Sequence, residues 1–236
     1  MKSVLPVVRL QFARRRGVLL VPLLIVAITF AVTVVIQVTL QRSGAYDDGA
    51  SYATGARFNP GVVWAQSGYL VAMGVASVAS TFPLAASFGA PRRAFALGTA
   101  VTHTLVSLYL TGVFAALLAL EVLTDHWFGG FYVFDVNVLG AGDLGVLVPI
   151  VFLGALVAQT AGGVFGAAWL RFGPRGPLGI SIGVVLVLAV ALRAAGPSLP
   201  AVFANYESWW AALSAALLAA AAIAGTFAVL RRAAVR

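Results

Sequence analysis

Long apolar segments alternate with short polar ones along almost the whole chain. A helix needs about 20 consecutive, mainly apolar residues to cross the hydrocarbon core of a bilayer. Six segments are candidates, the fifth being the shortest, and they lie at about residues 17–40, 61–84, 94–120, 144–170, 178–192 and 209–230. The pattern predicts an all-α polytopic membrane protein with six transmembrane helices, which form a single transmembrane domain over residues 1–236.

The amino-acid composition supports this prediction. Hydrophobic residues make up 61% of the chain and charged residues 9%, far from the proportions of a soluble domain. The first apolar segment is much longer than the core of a signal peptide, which has about 7 to 15 residues, so we expect an uncleaved transmembrane helix. The chain has no cysteine, which excludes disulfides, thiolate nucleophiles and cysteine-ligated metals.

Basic residues are concentrated in four polar segments. The N-terminal segment, the break near residue 92, the turn near residue 173 and the C-terminal tail hold twelve of the 15 lysines and arginines. The remaining three, and all 7 acidic residues, fall on the opposite side of a chain with six spans. Because cytoplasmic loops carry an excess of lysine and arginine, both termini are predicted to be cytoplasmic. The net charge of +8 then reflects topology and does not indicate a nucleic-acid partner.

The N-terminal segment, residues 1–16, has the pattern of an amphipathic helix. Its apolar side chains at Val4, Val7, Val8 and Phe12 can share one face, with basic residues on the others. Such a helix lies in the headgroup layer, and we expect an interfacial helix that precedes the first span. The alternative is a disordered, positively charged leader that only orients this span.

Few residues have a pattern typical of catalysis or metal binding. The spacing of Glu121, Asp125 and His126 suits a divalent ion, but a solvated rim at the end of a helix is the favoured interpretation. His103 is the one titratable side chain well inside a predicted span, and we expect it to be neutral and hydrogen-bonded to a neighbouring helix. Neither a phosphate-binding loop nor a hydrolase motif occurs. We therefore predict no catalytic, cofactor-binding or metal-binding residue in this chain.

Two further patterns concern helix packing. Small residues recur every four positions along the fourth predicted span, at Gly154, Ala158, Gly162 and Gly166. A stripe of this kind allows the backbone of another helix to approach closely, either within the protomer or between protomers. Pro83, near the end of the second predicted span, is expected to end or kink that helix.

The break between the second and third spans is the most distinctive stretch, with the sequence SFGAPRRAFALGT from Ser87 to Thr99. Each arginine at the centre of a bilayer costs about 2.5 to 3.5 kcal/mol, so the adjacent Arg92 and Arg93 must lie at a membrane surface. Pro91 has a preset φ that suits the first turn of a short helix. A plain cytoplasmic loop is the simpler alternative.

The break resembles a motif of the membrane subunits of bacterial ATP-binding-cassette (ABC) transporters, specifically of the six-helix exporter-type permease family. Small permeases of that family often have, between helices two and three, a glycine, a serine or threonine, a basic pair, an aromatic residue and then Gly-Thr. The corresponding residues here are Gly89, Arg92, Arg93, Phe95, Gly98 and Thr99, with Pro91 in place of the serine or threonine.

The resemblance implies a function for the break and a set of partners. The segment would be the coupling helix that docks on a cassette-type ATPase, through Ser87, Gly89, Pro91, Arg92, Arg93, Phe95, Gly98 and Thr99. The N-terminal helix would also touch the ATPase, and residues 195–207 would form an outer hairpin that dips back into the membrane. The chain would not be an enzyme itself, because ATP and Mg²⁺ would bind to the separate ATPase subunit. A second permease copy, identical or similar, would complete the transporter in the bacterial cytoplasmic (inner) membrane.

Two alternatives from other classes remain open at this point. A secondary transporter or channel is disfavoured because no predicted span has a carboxylate near its centre. A non-transporting membrane anchor that tethers a partner protein would use the basic break only as an orienting loop.

Overall fold

The structure is a computed structural model that describes residues 4–13, 15–44, 46, 48–198 and 208–231. Within these ranges the chain forms helices and turns, and no strand occurs. The α-helices are α1 (Val4–Phe12), α2 (Val21–Ser43), α3 (Gly49–Ala56), α4 (Gly61–Ala79), α5 (Thr81–Ser87), α6 (Arg92–Leu123), α7 (Leu144–Phe172), α8 (Arg175–Ala195) and α9 (Ser208–Leu230).

Six helical segments in the described part of the chain are long and apolar enough to cross a membrane. They are Arg16–Ser43, Gly49–Ser87, Arg92–Leu123, Leu144–Phe172, Arg175–Ser198 and Trp209–Leu230. The prediction of an all-α chain with six helices that are long and apolar enough to span a membrane is thereby confirmed. The fifth of these segments, which contains α8, extends beyond its apolar run at both ends. Arginines lie in the first and last turns of α8, and their long side chains can reach the headgroup layer from there.

The chain divides into two compact units, each with its own hydrophobic cluster. Unit 1 comprises Met1–Gln11, Val71–Val101 and Gln159–Arg236, and unit 2 comprises Phe12–Leu70 and Thr102–Ala158. The predicted outer hairpin at residues 195–207 lies mostly outside the described residues.

The cluster of unit 2 is built largely by the segment between α6 and α7. Val133, Phe134 and Val136 from this segment are at most 2% exposed, and they pack with residues of α2, α4, α6 and α7. The ring of Phe134 meets that of Phe114 edge to face, with 5.6 Å between centroids. Its aromatic and branched side chains fill the space between helices, where more apolar surface is removed from solvent.

Polar side chains of unit 2 bind the first turns of the α2 span. Residues Arg16–Leu20 form a π-helical turn before α2. In this turn a carbonyl accepts its hydrogen bond from the N–H five residues later, as the carbonyl of Arg16 does from Val21. The hydroxyl of Tyr69 donates to the carbonyl of Gly17, and the hydroxyl of Tyr109 donates to that of Leu19 at 3.1 Å. These bonds fix the entry of α2 against α4 and α6.

Unit 1 contains a close helix crossing between α4 and α7. A Cβ atom added at Gly162 would overlap the carbonyl oxygen of Val71, and one added at Gly166 would lie 2.6 Å from the carbonyl oxygen of Val75. A Cβ on Gly74 would likewise overlap the backbone of α7. Because the two backbones are in contact here, only glycine fits at these positions.

A break in the second span separates α4 from α5. Helix α4 ends at Ala79, four residues before Pro83. Since proline has no N–H, the carbonyl of Ala79 cannot receive its usual helical hydrogen bond. The break therefore occurs one turn before the proline that we expected to end or kink the span.

Helix α8 differs from the other spans in its surroundings. Gly176, at its first turn, is its single buried residue, and every residue of α8 is described. A helix that is apolar on all sides and exposed on all sides is suited to lipid contact over most of its surface.

Candidate functional site

The basic break forms a turn between two helices. We define the basic turn as Phe88–Pro91 together with Arg92 and Arg93, the first two residues of α6. Gly89, at φ +74°, ends α5, and the N–H groups of Gly89 and Ala90 donate to the carbonyls of Ala86 and Ala85. This glycine-terminated cap satisfies carbonyls at the end of α5.

The separate short helix that we expected across Ser87–Thr99 does not form. Ser87 is the last residue of α5, and α6 runs without interruption from Arg92 to Leu123. The left-handed glycine stops one helix, and Pro91 supplies the carbonyl that accepts the first hydrogen bond of the next, from Phe95 N–H at 3.0 Å. The sequence signals for a helix start were present, but they start the third span itself.

The residues proposed for docking fall into an exposed group and a buried group. The exposed residues are Ser87, Gly89, Pro91, Arg92 and Arg93, to which the structure adds Phe88 at 79% exposure. The buried residues are Phe95, Gly98 and Thr99. The first group is accessible at the surface, whereas the second group holds the turn to the rest of unit 1.

Helix α1 packs on the first turns of α6. Gly98 leaves room for this contact, because a Cβ atom added there would lie 2.7 Å from the side chain of Val7. The Nε2 of Gln11 donates to the hydroxyl oxygen of Thr99 at 2.8 Å and to the carbonyl of Ser77 at 3.1 Å. One face of α1 is therefore covered by protein. The amphipathic pattern alone did not indicate that Gln11 would form hydrogen bonds on this face.

Arg92 has a partner within unit 1. Its Nη1 donates to the carbonyl of Leu230 at 3.0 Å and also to the carbonyl of Arg231, at the C-terminal end of α9. A positive charge at this position interacts favourably with the helix dipole and satisfies carbonyls that lack a helical partner. This contact joins the basic turn to the last helix, and nothing in the local sequence of either segment predicted it.

A buried apolar cluster lies beneath the basic turn. Phe95 is fully buried, and its ring meets that of Phe82 edge to face at 5.1 Å. Val7 from α1, Ala167 from α7 and Leu230 from α9 belong to the same cluster. These residues come from five helices, which thus meet under the turn, and a displacement of Phe95 would shift residues of the other four because protein interiors are densely packed.

A second polar site, in unit 2, is centred on a buried carboxylate. Glu121 is fully buried and accepts four hydrogen bonds, each between 2.8 and 3.1 Å. The donors are the indole of Trp127 and the backbone N–H groups of Val133, Phe134 and Asp135. The favoured interpretation of Glu121 as part of a solvated rim was wrong, because the loop after α6 folds back over it.

Asp135, next to this carboxylate, is also buried. Its Oδ2 lies 2.7 Å from Nη2 of Arg57 and 2.9 Å from Nε2 of His126. The guanidinium of Arg57 also stands over the ring of Tyr132, 5.0 Å from its centroid. These contacts tie the segment before α4 to the loop between α6 and α7.

The backbone that carries His126 is strained. Asp125, His126, Trp127 and Phe128 all have φ between 48° and 59°, in the left-handed region that residues other than glycine rarely adopt. The turn brings Trp127 to Glu121 and His126 to Asp135, so these hydrogen bonds offset the strain.

A metal site does not form around these residues. No group of three or more histidine, cysteine, aspartate or glutamate side chains suited to a metal ion exists in the described part of the chain. Glu121 directs both oxygens to N–H donors, and His126 turns its Nε2 to Asp135. The arrangement is that of a structural support for the loop.

Comparisons of the chain with protein-family models, with curated proteins and with solved structures find no match. Its function is therefore argued from its own residues.

Proposed function

We propose that the chain is the membrane-spanning permease subunit of an ABC transporter of the exporter type. It moves its substrate across the bacterial cytoplasmic membrane by alternating access, with both termini on the cytoplasmic side. A separate cassette-type ATPase binds ATP and Mg²⁺ and performs the hydrolysis. Two permease subunits, identical or similar, form the path through the membrane, and rigid-body motions between them open it to either side.

The observation that carries this proposal is the composition of the exposed surface at the basic turn. Phe88, Pro91 and Arg93 present an aromatic ring, a rigid apolar ring and a positive charge to solvent within six residues. Exposed aromatic and arginine side chains are characteristic of the centres of protein interfaces. An exposed phenylalanine beside an arginine on this turn is therefore consistent with a docking surface for a partner protein.

The contacts under the turn supply a route for mechanical coupling. Phe95, one turn after Pro91, is buried in the cluster of unit 1, and Gln11 bonds α1 to both α6 and α4. A push on the turn is therefore transmitted to several helices together rather than absorbed by a flexible loop. Binding of ATP on the partner subunit provides that push in the proposed mechanism.

The distribution of charge supports the proposed orientation. Arg92 and Arg93 begin α6, Arg9 lies in the last turn of α1, Arg171 in the last turn of α7 and Arg175 at the start of α8. All five belong to the segments with an excess of basic residues, which favours the cytoplasmic side.

Affinity purification of the tagged protein from its host membrane in mild detergent, followed by mass spectrometry, tests the proposal. We expect a cassette-type ATPase in stoichiometric amount and ATP hydrolysis by the purified complex. Recovery of the protein alone, with no effect of ATP, would instead indicate a channel or a membrane anchor.

Charge reversal at Arg93 tests the docking surface separately. We expect Arg93→Glu and Phe88→Ala to reduce co-purification of the ATPase at unchanged expression of the permease. Arg193→Glu, which changes another exposed arginine on the predicted opposite side, is the matched control and should retain the ATPase. If Arg93→Glu retained the ATPase as well as the control did, the basic turn would not be the dock.

A further inference from the structure

The turn between α7 and α8 carries two arginines that have no carboxylate partner among the described residues. We define the α7–α8 turn as Arg171–Arg175, which runs from the last turn of α7 to the first residue of α8. Arg175 is exposed and Arg171 is partly exposed. No described residue of unit 1, to which the turn belongs, is acidic. The described part of this unit therefore offers the two arginines no counter-charge.

The backbone of the α7–α8 turn is rigid. Gly173, at φ +63°, ends α7, and its N–H donates to the carbonyl of Trp169 at 2.8 Å. The N–H of Gly176 donates to the carbonyl of Gly173 at 3.1 Å, and a Cβ atom added at Gly176 would lie 2.4 Å from the carbonyl oxygen of Ala168. Pro174 has a fixed φ. A backbone held in this way presents its arginines with a lower entropic cost of binding than a flexible loop would.

Exposed apolar side chains flank the two arginines. Trp169 and Phe172, three residues apart in α7, are 50% and 52% exposed, and Leu178 in α8 is 61% exposed. The guanidinium carbon of Arg171 stands over the ring of Phe172, 4.6 Å from its centroid. Tryptophan, whose ring is amphipathic, is enriched where a membrane meets water. The turn thus places positive charge and apolar surface side by side.

The helices that flank the α7–α8 turn are both long and apolar enough to cross a membrane. Because arginines are costly in hydrocarbon, we expect the turn at the level of the lipid headgroups. A guanidinium has five N–H donors in a planar fork that matches the oxygens of a phosphate group. Two arginines favour a headgroup with a net negative charge over a zwitterionic one, because basic segments are attracted to anionic lipids.

We propose that the α7–α8 turn binds the headgroup of an anionic phospholipid, whose phosphate accepts hydrogen bonds from Arg171 and Arg175. The acyl chains of this lipid contact Trp169, Phe172 and Leu178. The site does not depend on the proposed permease function, because it involves neither the basic turn nor an ATPase.

Trp169 is a natural reporter for this site. The protein is reconstituted in phosphatidylcholine vesicles that contain a fixed mole fraction of brominated phosphatidylglycerol or, in parallel, of brominated phosphatidylcholine. Bromine quenches the fluorescence of nearby indole rings, and the emission of Trp169 is the difference between proteins with and without Trp169→Phe. We expect brominated phosphatidylglycerol to quench this emission more strongly than brominated phosphatidylcholine does.

Two outcomes of this measurement would overturn the proposal. Equal quenching by the two lipids would mean that the turn does not select an anionic headgroup. Absence of quenching by either lipid would mean that the turn is covered by protein, such as a second copy of this chain.

Substitution of the arginines tests their part in the site. Arg171→Gln and Arg175→Gln should each lower the preference for phosphatidylglycerol over phosphatidylcholine about fivefold, and the double variant should lose most of it. Arg193→Gln changes an exposed arginine in the last turn of α8 and is the matched control, which should keep the wild-type preference. A double variant that kept the preference, or a control that lost it equally, would contradict the assignment. Size-exclusion chromatography and circular dichroism would verify that the variants fold.

Salt distinguishes a bound headgroup from a diffuse attraction of anionic lipids to a basic protein. In about 1 M salt the Debye length is about 3 Å, so attraction that acts at a distance is largely screened. Hydrogen bonds between arginine and phosphate act in direct contact, and we expect the preference of the wild type to persist. Its disappearance would mean that no headgroup is bound at the turn.

Glycerophosphoglycerol, which is the same headgroup without acyl chains, distinguishes a lipid from a free phosphate compound. It cannot make the contacts with Trp169, Phe172 and Leu178, so an excess of it in solution should not displace brominated phosphatidylglycerol. Displacement by this compound would rule out a lipid as the specific ligand of the turn.

Discussion

The side-chain amide of Gln11 donates to the hydroxyl oxygen of Thr99 at 2.8 Å, and both residues are buried. The two are 88 positions apart in the chain, and their bond joins the N-terminal helix to the first turns of the third span. The amphipathic pattern indicated that α1 would rest on a membrane surface. The buried amide shows that α1 is also hydrogen-bonded into unit 1.

We predict that the Gln11–Thr99 bond contributes about 1 kcal/mol to stability, as is usual for a hydrogen bond between neutral side chains. A double-mutant cycle with Gln11→Met and Thr99→Val, measured by reversible unfolding in mixed micelles, gives this coupling energy. Arg9→Gln, on the exposed side of the same helix, should leave the stability nearly unchanged. A coupling energy near zero would mean that the two side chains contribute independently.

Replacing Glu121 by glutamine should destabilise the protein by about 2 to 4 kcal/mol. Each carboxylate oxygen accepts two hydrogen bonds, so an amide nitrogen at either position would face two N–H donors. The thermal midpoint, followed by tryptophan fluorescence in detergent, measures the effect.

Asp125→Asn is the control for this substitution, because the side chain of Asp125 is fully exposed. It should shift the midpoint by much less than Glu121→Gln. Similar midpoints for the two variants would show that the bonds to Glu121 do not support the loop.

Gly162→Ala should destabilise the contact between α4 and α7 by about 1 to 3 kcal/mol, a typical effect of overpacking. The added methyl group would overlap the carbonyl of Val71, so one of the two helices must move. Gly112→Ala, at an exposed helical position without neighbours, should be neutral or slightly stabilising, since alanine has the higher helix propensity. The two midpoints are compared under the same detergent conditions.

The positions of the helices followed from sequence, but the interior polar contacts did not. Apolar runs predicted six spans because a bilayer demands continuous apolar length, and Pro91 indicated the start of a helix. The burial of Glu121 had no local signal, because three of its four hydrogen-bond donors are backbone N–H groups, which any sequence would carry. The small-residue stripe gave the same prediction for Gly154 and Gly162, yet one lines a cavity and the other contacts a backbone. Such differences depend on which helix lies opposite, and periodicity along one helix does not contain that information.

Helix α3 should lose stability in acid. Asp48 caps its N-terminus, and the backbone N–H of Ser51, which donates to its Oδ1 at 2.7 Å, lowers the pKa of this carboxyl group from its ordinary value of 3.8. A carboxyl whose pKa is lower in the folded state stabilises that state most above its unfolded pKa, and the stabilisation disappears as pH falls through the folded value.

We therefore expect amide exchange in the first turn of α3, corrected for intrinsic rates, to accelerate as pH is lowered below about 4. Asp48→Asn keeps an acceptor at the cap but does not titrate, so its protection should stay constant over the same range. Asp48→Ala removes the cap and should exchange fast at every pH. Parallel pH profiles for the wild type and Asp48→Asn would contradict the assignment, because the acid sensitivity would then arise from another group.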